Sequence, residues 1–390
     1  MQKEKIGLIL TGGGARAAYQ VGVLKALAEF MPHRARLPFS VVCGTSAGAL
    51  NAVTLAVNAR HFRKGVRYLL NVWSNAQVTD IYRADTLGVL KNSGRWLLGL
   101  GLSMLGSNRM NQVSLLDNSP LRTFMERVLP CELIQRQIDE GVLHALGITA
   151  SGYDSGHSVT FYQGVAEIKP WKRARRIGVP TSIEIQHLLA SSAIPFLFPA
   201  VHVNREFFGD GSMRQIAPIS SALHLGAERV LVVGVGYRAT DESDKRSRIE
   251  HYPTLAEIAG HALDSIFLDG LEVDLERLQR INHTVSAIPE ALRPQFTLRN
   301  IDALVITPSQ PLEKIAERYV THLPLPIRLL LRLLGVRRGN GANLVSYVLF
   351  EKAYCRALIE LGYQDTLQRR EEIVQFLEQG GALLRPDLAQ

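Results

Sequence analysis

Two glycine-marked turns near the start of the chain carry the residues best suited to chemistry. The segment Gly44-Thr45-Ser46-Ala47-Gly48 follows a short apolar run and has the G-x-S-x-G pattern of a nucleophile elbow. Its glycines are needed because side chains on either side of the serine would crowd so tight a turn. The segment Gly12-Gly13-Gly14-Ala15-Arg16 follows another apolar run and offers backbone N–H groups to a developing negative charge. Together the two turns predict a serine hydrolase with Ser46 as nucleophile.

The base that activates Ser46 is less evident from the residues. In many serine hydrolases it is a histidine oriented by a carboxylate. The chain has 11 histidines, but none of them lies in a glycine-bounded loop after a strand, where a catalytic histidine is presented. Asp210 has this setting, because it follows an aromatic strand end and precedes Gly211. An isolated Asp-Gly pair is usually only a turn, so this pattern alone leaves the base open.

The first turn also has the form of a dinucleotide-binding fingerprint. Gly12, Gly14 and Ala17 match its spacing between a strand and a helix. That function requires an acidic residue at the end of the second strand, to hold a ribose hydroxyl. The second strand ends instead in Cys43-Gly44-Thr45-Ser46, which disfavours a dinucleotide site.

The elements that must position these turns alternate between strands and helices. Residues 5–10 and 39–43 predict strands, each followed by a helix, at 15–30 and 47–60. This repeat is typical of a parallel sheet, whose sites lie at the carboxyl ends of the strands. Further strands are predicted at 145–150, 157–162, 206–210, 229–235 and 302–307, and further helices at 183–192 and 254–281.

Composition and charge limit the class of protein. The 390 residues are 46% hydrophobic and 21% charged, which is ordinary for a globular protein. Three cysteines form no disulfide framework, and neither a signal peptide nor a run of about 18 apolar residues is apparent. The net charge of +8 suits anionic lipid headgroups, while the absence of zinc-finger or RNP-like patterns disfavours nucleic acid. We therefore expect a cytoplasmic protein, soluble or peripheral on the inner face of a membrane.

Two segments outside the turns each allow two interpretations. Residues 85–130 include a glycine- and leucine-rich stretch that predicts either a cap over the site or ordinary helical packing. Residues 323–338 combine leucines with arginines at four-residue spacing, as in helices that lie on membrane surfaces. The same pattern suits a helix packed on the core with its arginines in water. The candidate membrane contacts are Arg328, Arg332, Arg337 and Arg338.

Four motifs, in order and spacing, resemble the patatin-like phospholipase family. They are the turn at 12–17, the elbow at 44–48, the run at 190–199 and Asp210-Gly211-Ser212. The resemblance covers about residues 5–235. It implies a three-layer α/β/α fold with a mainly parallel central sheet. We expect a catalytic domain over 1–308 and a helical C-terminal extension over 309–390, packed on or beside it.

The resemblance also implies roles for individual residues. It implies a Ser–Asp dyad without histidine, in which Ser46 is the nucleophile and Asp210 the base. Gly12, Gly13, Gly14 and Ala15 would form the oxyanion hole. Arg16 matches the family's loop arginine, which either stabilises the loop or contacts a lipid phosphate. Ala17 and Ser212 depart from the family pattern, but neither change removes a catalytic group.

The expected activity is hydrolysis of acyl esters of phospholipids or related lipids through an acyl-Ser46 intermediate. Partial burial of Asp210 would raise its pKa and make it a stronger base. No metal or cofactor is required, and no cluster of ligand residues at metal-binding spacing is found. A catalytically silent lipid-binding or scaffold protein of the same fold is the alternative. The headgroup, the acyl position and the oligomeric state are left open.

Overall fold

A ten-stranded sheet forms the centre of the computed structural model, which describes residues 4–85, 114–237, 252–336, 341–382 and 384–385. Its order is β10-β9-β1-β2-β3-β4-β6-β5, and β7 pairs with β8, which pairs with β3. The strands are β1 (Ile6–Leu10), β2 (Val41–Thr45), β3 (Ala145–Gly152), β4 (Ser158–Gly164), β5 (Trp171–Arg173), β6 (Arg176–Pro180), β7 (Val201–Val203), β8 (Glu206–Asp210), β9 (Arg229–Val233) and β10 (Asp302–Ile306).

Helices follow most of the strands. In the described residues they are α1 (Ala18–Phe30), α2 (Ala47–Val57), α3 (Phe62–Ser74), α4 (Val78–Ile81), α5 (Ser119–Val128), α6 (Leu133–Asp139), α7 (Ile185–Ser191), α8 (Pro218–His224), α9 (Leu255–Asp264), α10 (Gly270–Ala287), α11 (Leu312–Glu317), α12 (Leu325–Leu333), α13 (Ala342–Val348), α14 (Lys352–Gln368) and α15 (Arg370–Gln379). Short 3-10 turns occupy Gly14–Ala17 and Gly211–Arg214, and a π-helical turn at Ser265–Asp269 joins α9 to α10.

The sheet is parallel from β10 through β9, β1 and β2 to β3, and β4 runs antiparallel to β3. Leu10 of β1 lies opposite Gly44 of β2, so the carboxyl ends of these strands lie side by side. The two glycine-marked turns therefore leave the sheet at the same edge. The predicted strand positions are confirmed, as is the mainly parallel sheet.

Side chains on β1 alternate between two helical layers. Leu8 and Leu10 belong to the core cluster that includes α1 and α2, whereas Ile9 belongs to a second cluster on the other face. The second cluster is closed by α8 and α10, through residues such as Ile219 and Leu275. This alternation gives each face of the sheet its own apolar interior and confirms the three-layer architecture.

The predicted helices at 15–30 and 254–281 differ in detail from the observed ones. The first opens with the 3-10 turn Gly14–Ala17 before α1 begins at Ala18. The second is divided by the π-helical turn Ser265–Asp269. Both departures lie beside the first glycine turn, since a Cβ on Gly12 would lie 2.9 Å from the Phe267 ring. Tertiary packing at this turn therefore alters the regular helices that the pattern predicts.

The C-terminal helices pack directly on the α/β layers. Helix α14 lies against α1 so closely that a Cβ on Gly22 would overlap the Ile359 carbonyl, and one on Gly362 would overlap the Tyr19 carbonyl. Tyr354 of α14 is fully buried. Helix α14 thus completes the layer that contains α1. No helix in the described ranges is long and apolar enough to cross a membrane.

Candidate active site

Ser46 occupies a strained turn between β2 and α2. Its backbone has φ 54° and ψ −130°, a conformation that costs free energy for a residue other than glycine. A Cβ on Gly48 would lie 2.6 Å from the Thr11 carbonyl oxygen, and one on Gly44 would lie 2.6 Å from the Cα of Ala49. Both glycines are therefore required for α2 to approach the sheet this closely.

Ser191, which sequence analysis did not single out, braces this turn. The Ser46 N–H donates a hydrogen bond to Ser191 Oγ at 2.8 Å, and Ser191 Oγ donates to the Thr149 carbonyl at 2.6 Å. Ser191 is the last residue of α7 and is fully buried. The bridge links the elbow to β3 and helps to hold the strained backbone. The family-like run at 190–199 was the only signal in the sequence that pointed to this position.

Asp210 lies at the elbow because β8 pairs with β3 directly beyond the end of β2. Strand β3 pairs with β4 along one edge and with β2 along the other. The pairing with β2 extends as far as Thr149 of β3, whose partner is Thr45 of β2. At the next residue, Ala150, the partner is Asp210 of β8. The carboxylate therefore follows the end of β2, where Ser46 stands. A Cβ on Gly211 would overlap the Thr149 carbonyl, so the residue after Asp210 must be glycine.

The Asp210 carboxylate is held in a fully buried position. Its Oδ1 accepts a hydrogen bond from the Ser212 N–H at 2.9 Å, and its own N–H donates to the Ala193 carbonyl at 2.8 Å. Burial raises the pKa of the Asp210 carboxyl to about 6, while hydrogen bonding by Ser46 and Ser212 offsets part of the rise. Oδ2 has no partner of standard geometry in the described residues. The Ser46 hydroxyl lies close enough to lower the pKa of this carboxyl, although no hydrogen bond of standard geometry joins the two groups.

The first glycine turn presents unpaired backbone donors. Gly13 and Gly14 have φ values of 154° and 54°, and a Cβ on Gly14 would overlap the Tyr347 carbonyl. Within the described ranges, the N–H groups of Gly13, Gly14 and Ala15 make no hydrogen bond to a backbone or side-chain acceptor. Backbone N–H groups in this arrangement are able to bind an oxyanion. Ser212 packs against Gly12, where a Cβ would overlap its Oγ.

Arg16 is buried and faces the C-terminal helices. Its Nε donates to Ser346 Oγ at 2.8 Å, and one terminal nitrogen donates to Asp264 at 3.3 Å and to the Tyr347 hydroxyl at 3.1 Å. The other terminal nitrogen bonds Asn343. Only 2% of Arg16 is exposed. Of its two predicted roles, this geometry favours stabilisation of the loop over contact with a lipid phosphate.

An apolar cleft opens beside Ser46 and Gly14. Its empty space amounts to about 610 Å³, including the part open to solvent. Large apolar side chains form most of its wall, among them Leu50, Trp73, Leu121, Phe124, Phe198 and Phe350. Helix α5, within the predicted cap segment 85–130, contributes to the wall, while residues 86–113 lie outside the described residues. Asp80 and Ser192 are the other polar side chains of the described lining.

Histidine and cysteine side chains near the sheet have structural roles. The Nδ1 of His187 accepts the Glu184 N–H at 3.0 Å in a helix cap, and its ring packs 4.7 Å from that of Phe161. Cys43 is a core residue, and burial raises the pKa of its thiol to about 12. No histidine lines the cleft in the part of the chain that the structure describes. No group of three or more potential metal ligands occurs there either.

A family model described as patatin-like phospholipase matches residues 8–223, which is more than half of the chain. Over 56 residues the chain is 48% identical to "Lysophospholipase nte1" of Aspergillus terreus (strain NIH 2624 / FGSC A1156). That match spans 14% of this chain and only 3% of the curated relative.

Two solved structures resemble the chain at low similarity. VipD from Legionella pneumophila is 12% identical with a TM-score of 0.36, over 96% of this chain and 67% of that one. The type III effector protein ExoU is 18% identical with a TM-score of 0.23, over 98% of this chain and 94% of that one. These scores are too low to carry an argument about function.

Proposed function

The chain belongs to the patatin-like phospholipase family, and on that premise we propose that it hydrolyses lipid acyl esters with Ser46 as nucleophile and Asp210 as base. The observation that carries the proposal is the pairing of β8 beside β3 directly beyond the end of β2. This pairing sets a buried carboxylate of raised pKa next to a serine in a nucleophile elbow.

The proposed reaction has two stages. First, Asp210 takes the hydroxyl proton of Ser46 while Oγ attacks the ester carbonyl carbon, and backbone N–H groups of the Gly12–Ala15 turn bind the oxyanion. Asp210 then returns the proton to the leaving oxygen as its bond to carbon breaks, which leaves an acyl-Ser46. In the second stage Asp210 takes a proton from water, whose oxygen attacks the acyl carbon. Asp210 then gives that proton to Ser46 Oγ as the bond between Oγ and the acyl carbon breaks, which releases the acid.

The apolar cleft supports a lipid as substrate. Its wall of aromatic and aliphatic side chains suits an acyl chain, and it reaches Ser46 directly. The curated relative named a lysophospholipase supports the same substrate class. We propose a phospholipid or lysophospholipid ester, with the acyl chain in the cleft.

Ser46→Ala tests the proposal. We expect the folded variant to lose nearly all hydrolysis of acyl esters and all reaction with a fluorophosphonate probe, because no other nucleophile replaces its hydroxyl. Circular dichroism checks the fold, and Ser220→Ala on α8 is a matched control that should behave like the wild type. A wild-type protein that neither reacts with the probe nor cleaves esters would favour the catalytically silent lipid-binding alternative.

We also propose that α12 contacts anionic membranes. One face of α12 buries Ile327, Leu330 and Leu331 in the core, which fits the packed-helix interpretation. A second face exposes Leu325, Leu329 and Leu333 by 57%, 49% and 83%. We call these three residues the leucine stripe. Apolar residues so exposed suit insertion at a headgroup boundary.

Arginines beside the leucine stripe supply attraction to anionic lipid. Arg332 is exposed, whereas Arg328 is half-buried and donates to the Thr321 carbonyl at 3.3 Å. Arg337 and Arg338 lie outside the described residues. Within the described ranges the proposed contact therefore depends chiefly on Arg332 and the leucine stripe, with a smaller contribution from Arg328. We propose the inner face of a membrane as its site.

A further inference from the structure

Ser192 carries an unsatisfied hydroxyl in the wall of the catalytic cleft. Only 8% of the residue is exposed, and its Oγ is buried without a hydrogen-bond partner in the described residues. The residue nevertheless lines the same cleft as Ser46. A buried hydroxyl without a partner is unfavourable, and alanine would avoid that penalty. A molecule bound in the cleft is the natural partner for this hydroxyl.

The neighbours of Ser192 in sequence hold both members of the proposed dyad. On one side, Ser191 accepts the Ser46 N–H through its Oγ. On the other, the Ala193 carbonyl accepts the Asp210 N–H. Ser192 therefore lies on the segment that joins the nucleophile to the base. Ser192 also lines the cleft that a substrate must enter to reach Ser46.

The proposed mechanism distinguishes the two oxygens of that ester. The carbonyl oxygen faces the Gly12–Ala15 turn, which follows β1, whereas the leaving oxygen must lie within reach of the proton on Asp210. The backbone directly after Ser192 is held beside Asp210, because the Ala193 carbonyl accepts the Asp210 N–H. Building on the proposed function, we propose that Ser192 donates a hydrogen bond to the leaving oxygen of the lipid ester.

In this role Ser192 stabilises a negative charge without transferring a proton. As the bond between the acyl carbon and the leaving oxygen breaks, its electron pair stays on that oxygen. The proton that neutralises the oxygen comes from Asp210, and Ser192 keeps its own. The contribution should be large for glycerol-type oxygens, which leave poorly as alkoxides. It should be small for nitrophenolate, which leaves readily without a donor.

The test compares Ser192→Ala with the wild type on the glycerol ester and the p-nitrophenyl ester of one fatty acid. We expect kcat/KM to fall about tenfold on the glycerol ester, the effect of one lost hydrogen bond, and less than about twofold on the nitrophenyl ester. Because kcat/KM reports the steps through acylation, the shared deacylation step does not mask the difference. Equal losses on both esters would overturn the proposal.

A matched control separates this role from a structural one. The buried Ser221 Oγ donates to the Pro218 carbonyl at 3.0 Å, on the other face of the sheet. Ser221→Ala should lower Tm and leave the ratio of the two activities unchanged. Ser192→Ala should keep or raise Tm, since it removes an unpaired hydroxyl. A Tm loss in Ser192→Ala that matches the control would indicate structural packing, and a wild type inactive on both esters would refute the proposed function itself.

Discussion

At the residue scale, the burial of Asp210 has two effects. It raises the pKa of the carboxyl, and it lowers the stability of the fold when the carboxyl is charged. No part of the residue is exposed, and burial raises the pKa of its carboxyl to about 6. A base of that pKa remains charged at neutral pH and yet binds a proton more readily than an ordinary carboxylate. Hydrogen bonding by Ser212 and Ser46 compensates only part of the lost hydration.

The pH dependence of activity should report this pKa. In the proposed reaction Asp210 must be unprotonated to accept the Ser46 proton, so we expect kcat/KM to rise with pH through about 6 and then to level off. A pH profile measured on a soluble ester tests this.

Asp210→Asn should lower kcat/KM about as strongly as Ser46→Ala, whereas His→Ala changes at the 11 histidines should not. One histidine variant as inactive as Ser46→Ala would indicate a triad instead.

Stability should depend on pH in the opposite sense. Between the ordinary carboxyl pKa near 3.8 and the folded-state value of about 6, the folded protein binds a proton at Asp210 that the unfolded chain does not. This residue therefore makes the fold less stable as the pH rises through that window. Asp210→Asn should raise Tm relative to the wild type at pH 8, and the gain should shrink toward pH 4. A gain that is constant over this range would contradict the burial argument.

At the element scale, the close contact between α1 and α14 depends on glycines, which have no side chain to keep the two helices apart. Gly22 lies in the interior of α1, where glycine is unfavourable by about 1 kcal/mol relative to alanine. A Cβ there would overlap the Ile359 carbonyl of α14, which is backbone and cannot rotate away. The close approach of two helices therefore outweighs the helical preference of the sequence.

Gly22→Ala should consequently destabilise the protein although alanine favours helices. We expect a net loss of about 1–3 kcal/mol in the free energy of unfolding, because the helices must separate. Gly65→Ala in α3 is the matched control, since the nearest atom to its new Cβ is the Asn58 side chain at 3.1 Å. Denaturant titration of both variants measures the difference. Equal stabilities for the two variants would show that the α1–α14 contact yields easily.

At the scale of the whole molecule, the net charge of +8 and the leucine stripe would act on the same partner in the proposed membrane contact. The excess charge draws the protein toward anionic surfaces, and the attraction falls as salt is added. Exposed leucines add an apolar contact that salt does not weaken. The combination suits reversible membrane contact better than permanent anchoring.

Liposome co-sedimentation should separate these contributions. Replacing Arg328 and Arg332 with glutamine should weaken binding to anionic vesicles by roughly fivefold to thirtyfold at low salt, at about 1 kcal/mol for each fully engaged arginine. Replacing Leu329 and Leu333 with serine should weaken it at high salt as well. The control changes Arg277 and Arg280 of α10 to glutamine, which removes the same charge elsewhere. If the control loses as much binding as the α12 variants, only net charge matters and α12 is not the contact.

The sequence by itself determined the local parts of this protein. The elbow around Ser46 and the turn at Gly12–Ala15 could be predicted because their geometry depends on residues adjacent in the chain. The strands β1–β4 and β8–β10 and the helices α1, α2 and α7 were predicted from apolar patterns for the same reason, whereas the short strands β5–β7 were not. The 3-10 turn before α1 and the π-helical turn after α9 could not, because packing between distant elements produces them.

Only the tertiary structure decided which of these parts meet. Ser191 braces Ser46 across 145 residues of sequence, and Arg16 reaches Ser346 across 330. No local pattern records that β8 takes over the edge of β3 beyond β2, which sets Asp210 at the elbow. The same holds for α12, whose leucines are divided between the core and the surface. Spacing along the chain specifies which residues share a face, but burial depends on what packs against that face.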